Sequence, residues 1–253
     1  MIPIPPLEPH VVLLIAAAGF VAGVQNALAG GGSFITFPAL LLAGLNPLAA
    51  NMTSTIAMFP SQTASAIAGR KLAGAVGPLS FRAMFIISLV GGVLGAILLL
   101  STPATFFARL VPWLVLFATA VFAWGTFRRK PLHAAGAIPL PALAGVQGAI
   151  AIYGGYFGGG IGFLMLAALT VAGVPVRAAT ATKNALAMAM NAAATLIFAF
   201  SGMISWPAAL ALAVGGIGGG VCGGWLIHRL PERLMRIGVV VIGALLTVWM
   251  FLR

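Results

Sequence analysis

The sequence predicts an all-α, polytopic helical membrane protein built from two inverted-topology repeats with short broken or re-entrant helices. Composition, the length of the apolar runs and an internal duplication carry that prediction. Of 253 residues, 62% are hydrophobic and 6% charged, against roughly a quarter charged in a soluble domain. So few polar groups cannot cover a water-soluble fold of this size, which leaves lipid as the solvent. In lipid the backbone N–H and C=O groups must pair internally, so only helices or a closed barrel can span. Barrel strands alternate apolar and polar residues, whereas VVLLIAAAGFVAGV and IGVVVIGALLTVWMFL are continuously apolar. Runs near 20 residues match a helix crossing about 30 Å of hydrocarbon.

Ten apolar segments follow along the chain, near 11–29, 33–44, 47–69, 79–100, 107–127, 138–157, 161–173, 177–200, 207–228 and 233–252. The first is preceded by MIPIPPLEPH, which lacks the basic start of a signal peptide; the helix is expected to stay, with the N-terminus outside. The second and seventh would each span only about 18–20 Å, too little to cross. Each follows a glycine cluster, Gly30-Gly31-Gly32 or Gly158-Gly159-Gly160. The third and eighth are the polar ones, containing NMTSTIAMFPSQ and TATKNALAMAMN. The fourth and ninth carry GxxxG patterns, Gly91/Gly95, Gly215/Gly219 and Gly220/Gly224, whose expected role is close helix packing.

The two halves are copies. An ungapped offset of 129 superposes Gly31 on Gly160, Phe34 on Phe163, Gly44 on Gly173, Thr53 on Thr182, Pro78 on Pro207 and Gly91 on Gly220, and sets Gln62 on Asn191. Such a match over half the chain indicates internal duplication. The segment RRKPLHAAGAIPLP at 128–141 reads as the cytoplasmic linker between a first repeat, 1–127, and a second, 142–253. Five segments per copy require the second copy to be inserted upside down. With the N-terminus outside, Arg70, Lys71, Arg82, Arg128, Arg129, Lys130, Arg177, Arg229, Arg233 and Arg236 fall on the cytoplasmic side and only Arg109 and Arg253 outside, as the positive-inside rule asks. The net charge of +11 is therefore a topology signal rather than a nucleic-acid surface. The lone Cys222 can form no internal disulfide.

Inverted repeats with interrupted helices place substrate where the repeats meet, near the midplane. Candidate substrate contacts are thus the glycine clusters and their flanks: Gly30, Gly31, Gly32 and Ser33 in the first copy, and Gly158, Gly159, Gly160 and Gly162 in the second. Helix N-termini there would offer unpaired N–H donors and partial positive charge, which suit anions; close helix packing is the alternative. The polar segments add Asn51, Thr53, Ser54 and Gln62, and Thr182, Lys183, Asn184 and Asn191, since polar groups in a bilayer usually face a cavity. Asn51, Thr53, Thr182 and Asn184 could equally cap helices or bond a neighbour. Lys183 is the one charge deep in an apolar segment; it either meets substrate or snorkels to the cytoplasmic face. The only acids, Glu8 and Glu232, lie in loops, and His10, His133 and His228 lie at segment ends. Neither a metal cluster nor a catalytic triad can be assembled, so an enzyme is not expected and no cofactor is implied. Cation cargo would lack a carboxylate partner, which favours a small anion.

The first-copy stretch AGGGSFITFPALLLAGLNPLAANMTST and the second-copy stretches GGYFGGGIGFLMLAALTVAG and ATATKNALAMAMNAAATLIFAFSGMISW resemble the TauE/SafE family of sulfite exporter-like permeases. The resemblance covers nearly the whole chain, and Thr182, Lys183, Asn184, Asn191, Phe198, Gly202 and Trp206 fall as in the family's second half. It implies a bacterial inner-membrane permease for a sulfur-containing or organic anion such as sulfite or sulfoacetate, working by alternating access. An anion channel of the same fold and a non-transporting assembly factor are the alternatives. Substrate, direction, coupling ion and self-association into a homo-oligomer are left open.

Overall fold

The computed structural model describes residues 8–28, 31–127, 138–226 and 232–252. Among them ten helices succeed one another: α1 (Pro9–Leu28), α2 (Ser33–Leu42), α3 (Pro47–Gly69), α4 (Phe81–Ser101), α5 (Ala104–Phe127), α6 (Leu140–Tyr156), α7 (Ile161–Val171), α8 (Val176–Ala199), α9 (Trp206–Leu226) and α10 (Glu232–Leu252). Each coincides within a few residues with one of the ten apolar segments. Helix α6 starts at Leu140, so the end of the 128–141 linker is helical; residues 128–137 lie outside the described residues.

Local chemistry sets the boundaries. Pro47 opens α3, where the Asn46 side chain accepts the Ala49 N–H. The Ser80 side chain caps α4 at the Ala83 N–H. These caps satisfy donors that a helix start leaves unpaired. The short helices α2 and α7 end in one and the same turn: Gly44 and Gly173 take φ of 89° and 82°, while Leu45 N–H bonds Leu40 C=O and Val174 N–H bonds Leu169 C=O. These residues correspond at the repeat offset, so the duplication persists down to single hydrogen bonds.

Packing repeats as well. Helix α1 lies along α9, with Gly19 against Leu212 and Gly23 against Gly216; α6 lies along α4, with Ala151 against Gly91 and Gly155 against Gly92. Residue numbers rise together in both pairs, so each pair is parallel. Exchanging the repeats turns α1–α9 into α6–α4. Glycine permits this contact: a Cβ on Gly95 would run into the Ile152 carbonyl, and one on Gly219 into the Phe20 carbonyl. Gly91/Gly95 and Gly215/Gly219 are thus packing seams, as small residues are in membrane bundles.

Helices α3 and α8 cross at the centre and run antiparallel. Met52 meets Ser201, Gln62 meets Asn191 and Gly69 meets Ala181. Two residue pairs separated by the repeat offset touch each other: Asn191 Nδ2 donates to Gln62 Oε1 at 2.6 Å, and the Phe34 and Phe163 rings stack with centroids 6.4 Å apart. A residue can meet its own counterpart only on a two-fold axis. Because α3 and α8 are antiparallel there, the axis lies across them, in the membrane plane, which is the inverted arrangement. Helices α2 and α7 start beside this axis and run about 15–17 Å from it at the helical rise, so they are half-spanning.

Among the described residues, four helices carry windows long and apolar enough to cross: Pro9–Asn26, Phe81–Ser101, Ala104–Val121 and Trp206–Gly223. They present exposed residues such as Leu13, Ile97, Trp113 and Val214 to lipid. Helices α3 and α8 are more polar because they are interior. Their Asn51, Thr53, Ser54, Thr182 and Asn191 are buried, where neighbouring helices replace water.

Candidate functional site

A small cavity of mixed polar and apolar lining lies between the repeats. From the first repeat Ser33, Phe34, Asn51, Ser54, Thr55, Met58 and Gln62 line it; from the second come Phe157, Gly158, Gly159 and Asn191. Phe37, Val115 and Leu246 complete the apolar wall, and among the described residues no acidic or basic side chain lines the cavity.

The loop from α6 to α7 is pinned over this cavity. Asn51 Nδ2 donates to the Tyr156 carbonyl at 3.0 Å and the Tyr153 hydroxyl to the Gly159 carbonyl at 2.9 Å. Gly158 and Gly160 take φ of 72° and 78°, a region open to glycine but costly for other residues. That turn aims the start of α7 at the axis. The N–H groups of Phe157 and Gly158 bond the Tyr153 carbonyl, and those of Phe163 and Leu164 bond Gly160. Among the described residues, the N–H groups of Gly159, Gly160, Ile161 and Gly162 have no such acceptor. These are the free donors of a helix start, where partial positive charge gathers.

On the floor, Thr36 and Ser54 hydroxyls share a buried hydrogen bond of 2.6 Å, and Thr55 donates to the Asn51 carbonyl. The Gln62–Asn191 pair stands on the axis. The Asn191 Oδ1 atom is buried with no partner, an incomplete network in a place where leaving a polar group unpaired costs about 1–3 kcal/mol.

Of the residues singled out in the sequence, Ser33, Asn51, Ser54, Gln62, Gly158, Gly159 and Asn191 come together here. Gly31, Gly32, Gly160 and Gly162 belong to the turns and helix starts just behind; Gly31 packs on the Phe163 ring and Gly160 on Ala118. Gly30 lies outside the described residues. Thr53 and Thr182 stand away from the cavity. Their hydroxyls accept the N–H groups of Ser205 and Gly74, at 3.2 and 3.1 Å, and so tie each central helix to a loop of the other repeat. Lys183 and Asn184 are half-buried on α8 outside the cavity. The Lys183 ammonium approaches the start of α7, 3.6 Å from where a Cβ on Gly162 would sit. The cavity also uses residues that sequence reasoning passed over: the aromatic wall of Phe34, Phe37 and Phe157, and Met58, Val115 and Leu246. Apolar side chains facing a cavity look, in sequence, like those facing lipid.

Inverted repeats, two half-helices starting at a midplane axis and a cavity between them define a membrane transporter. The family model described as sulfite exporter TauE/SafE matches residues 15–250, and the chain belongs to that family. It is 31% identical over 208 residues to a probable membrane transporter protein, ORF9, of Sinorhizobium, covering 81% of this chain and 79% of that one. A probable membrane transporter protein of Haemophilus influenzae is 29% identical, with 92% of each chain covered. The Escherichia coli probable membrane transporter protein YfcA is 27% identical over 93% of this chain and 88% of its own.

Proposed function

We propose that this transporter carries a small anion, of the sulfur-containing or organic kind exemplified by sulfite and sulfoacetate, across a bacterial inner membrane by alternating access. The observation that supports this reading most is the cavity at the two-fold axis. It is roofed by Gly158 and Gly159 of the loop that leads into α7 and walled in part by hydroxyls and amides, and among the described residues no carboxylate lines it. Backbone donors at a helix start stabilise negative charge, and a cation would find no counter-charge there. Lys183, beside the same helix start, supplies the positive charge that balances the cargo. The Asn191 Oδ1 atom suits a hydroxyl or water carried in with it. The family description supports the sulfur oxyanion class.

The test is flux. The purified protein in liposomes is expected to take up sulfite, sulfoacetate or thiosulfate with saturation and to exchange one for another, while sodium and potassium do not move. Absence of saturable flux for every anion in a panel that includes simple carboxylates rules the reading out. The charge distribution further supports an orientation with both termini on the periplasmic side. Alkaline phosphatase fused at either end should then be active in cells, and an inactive fusion at both ends reverses the orientation.

A further inference from the structure

The cavity is one-sided with respect to the axis. On α3 its lining runs from Asn51 to Gln62, whereas α8 contributes only Asn191, the partner of Gln62. Ser54 and Thr55 precede the axis residue Gln62 by eight and seven positions. Lys183 and Asn184 precede Asn191 by the same eight and seven. Each set lies about 11–12 Å along its helix from the axis, and because α3 and α8 are antiparallel the two sets lie on opposite sides of it. The cavity therefore lies along α2 and α3, while their counterparts α7 and α8 add only Asn191 to its lining.

The α7–α8 side has an electrostatic peculiarity. The Lys183 ammonium lies against the start of α7, whose Ile161 and Gly162 N–H groups have no acceptor among the described residues. A cation and the positive end of a helix repel each other unless an anion sits between them. Gly162 replaces Ser33 of the first repeat at this point, and a Cβ there would rest in ordinary contact with the Lys183 side chain.

We propose that the opposite-facing state opens a second cavity along α7 and α8, in which Lys183 and Asn184 occupy the places that Ser54 and Thr55 hold in the observed one. The site then meets its cargo with neutral hydroxyls when facing one side and with an ammonium when facing the other. This rests on the alternating-access reading, and it assigns the cationic, anion-capturing face to the α8 side. The two-fold axis gives the physical reason: repeats with the same fold can exchange packings, each adopting the arrangement its counterpart now has.

Sided labelling tests this apart from any cargo. In a Cys222→Ser background, Thr55→Cys and Met58→Cys report the observed cavity; Asn184→Cys and Ala187→Cys report its counterpart. Proteoliposomes of known orientation are exposed to a membrane-impermeant maleimide on one face or the other, with the denatured protein as the full-labelling reference. The first two variants are expected to label from one face only and the second two from the opposite face only. Protection of Asn184→Cys and Ala187→Cys from both faces, or labelling from the same face as Thr55→Cys, overturns the proposal. Two positions per cavity guard against one variant that misfolds. Because no anion takes part, opposite-face labelling without anion flux would refute the cargo and leave the two cavities standing.

Discussion

At the residue scale the polar side chains of α3 and α8 separate into two jobs. Thr53 and Thr182 accept backbone N–H groups from the opposite repeat, so their role is to hold loops. Thr53→Val keeps the shape and strands the Ser205 N–H; it should cost about 1–3 kcal/mol, seen as a lower thermal midpoint in detergent with flux per folded molecule unchanged. Lys183 has the opposite character, because it stands beside unpaired donors and holds nothing together. Lys183→Ala should cut anion uptake by about 10- to 100-fold, the equivalent of a lost charge-assisted hydrogen bond of ~1.5–3 kcal/mol, at normal expression. Uptake at the parent rate would identify it as a snorkelling side chain. Composition alone could not divide these residues. Thr53 and Ser54 are adjacent and both polar, yet one faces a loop and the other the cavity, a difference of about 100° around the helix.

At the element scale, glycine decides which helices touch. Gly95 lies against the Ile152 carbonyl, and backbone cannot move aside as a side chain can. Gly95→Val should destabilise the bundle by about 1–3 kcal/mol or more through overpacking. Gly220→Ala should be nearly silent, since an added Cβ there meets open space; thermal unfolding of the two variants side by side checks both. The GxxxG spacing predicted packing at Gly91/Gly95, Gly215/Gly219 and Gly220/Gly224 alike. It could not tell that the α9 seam against α1 runs through Gly215 and Gly219 while a Cβ on Gly220 would meet open space, because the rotation of α9 about its axis depends on its partner. The half-helices were easier to foresee. Their length and preceding glycines are local properties, and the structure begins both beside the axis.

At the scale of the whole molecule, the two-fold axis is the organising feature. Gln62 and Asn191 occupy equivalent places on it, so exchanging them should be tolerated. Gln62→Asn combined with Asn191→Gln should transport at close to the parent rate, whereas Asn191→Leu alone should not, since it strands the Gln62 amide in the bilayer interior. A double-mutant cycle on flux and thermal stability measures the coupling; equal, additive losses would mean that the amides do not act as a pair. The parallel α1–α9 and α4–α6 seams lie on either side of this axis, and they are natural rigid bodies for any rocking of one repeat against the other.

What the amino-acid sequence determined by itself is what lipid imposes segment by segment: the ten helices, their two short members, the duplication and the charge bias of the loops. Each follows from apolar length, glycine position or self-similarity, all of which are local or periodic. The tertiary structure alone decided which polar residues share a cavity. It brought Ser33, Ser54 and Gln62 to the α6–α7 loop and left Gly162 and Lys183, the counterparts of the first two, outside the cavity, while Asn191, the counterpart of Gln62, lines it from the axis. Two repeats with matching sequences are equivalent until they pack, and in the observed packing the cavity is lined by α3 far more than by α8.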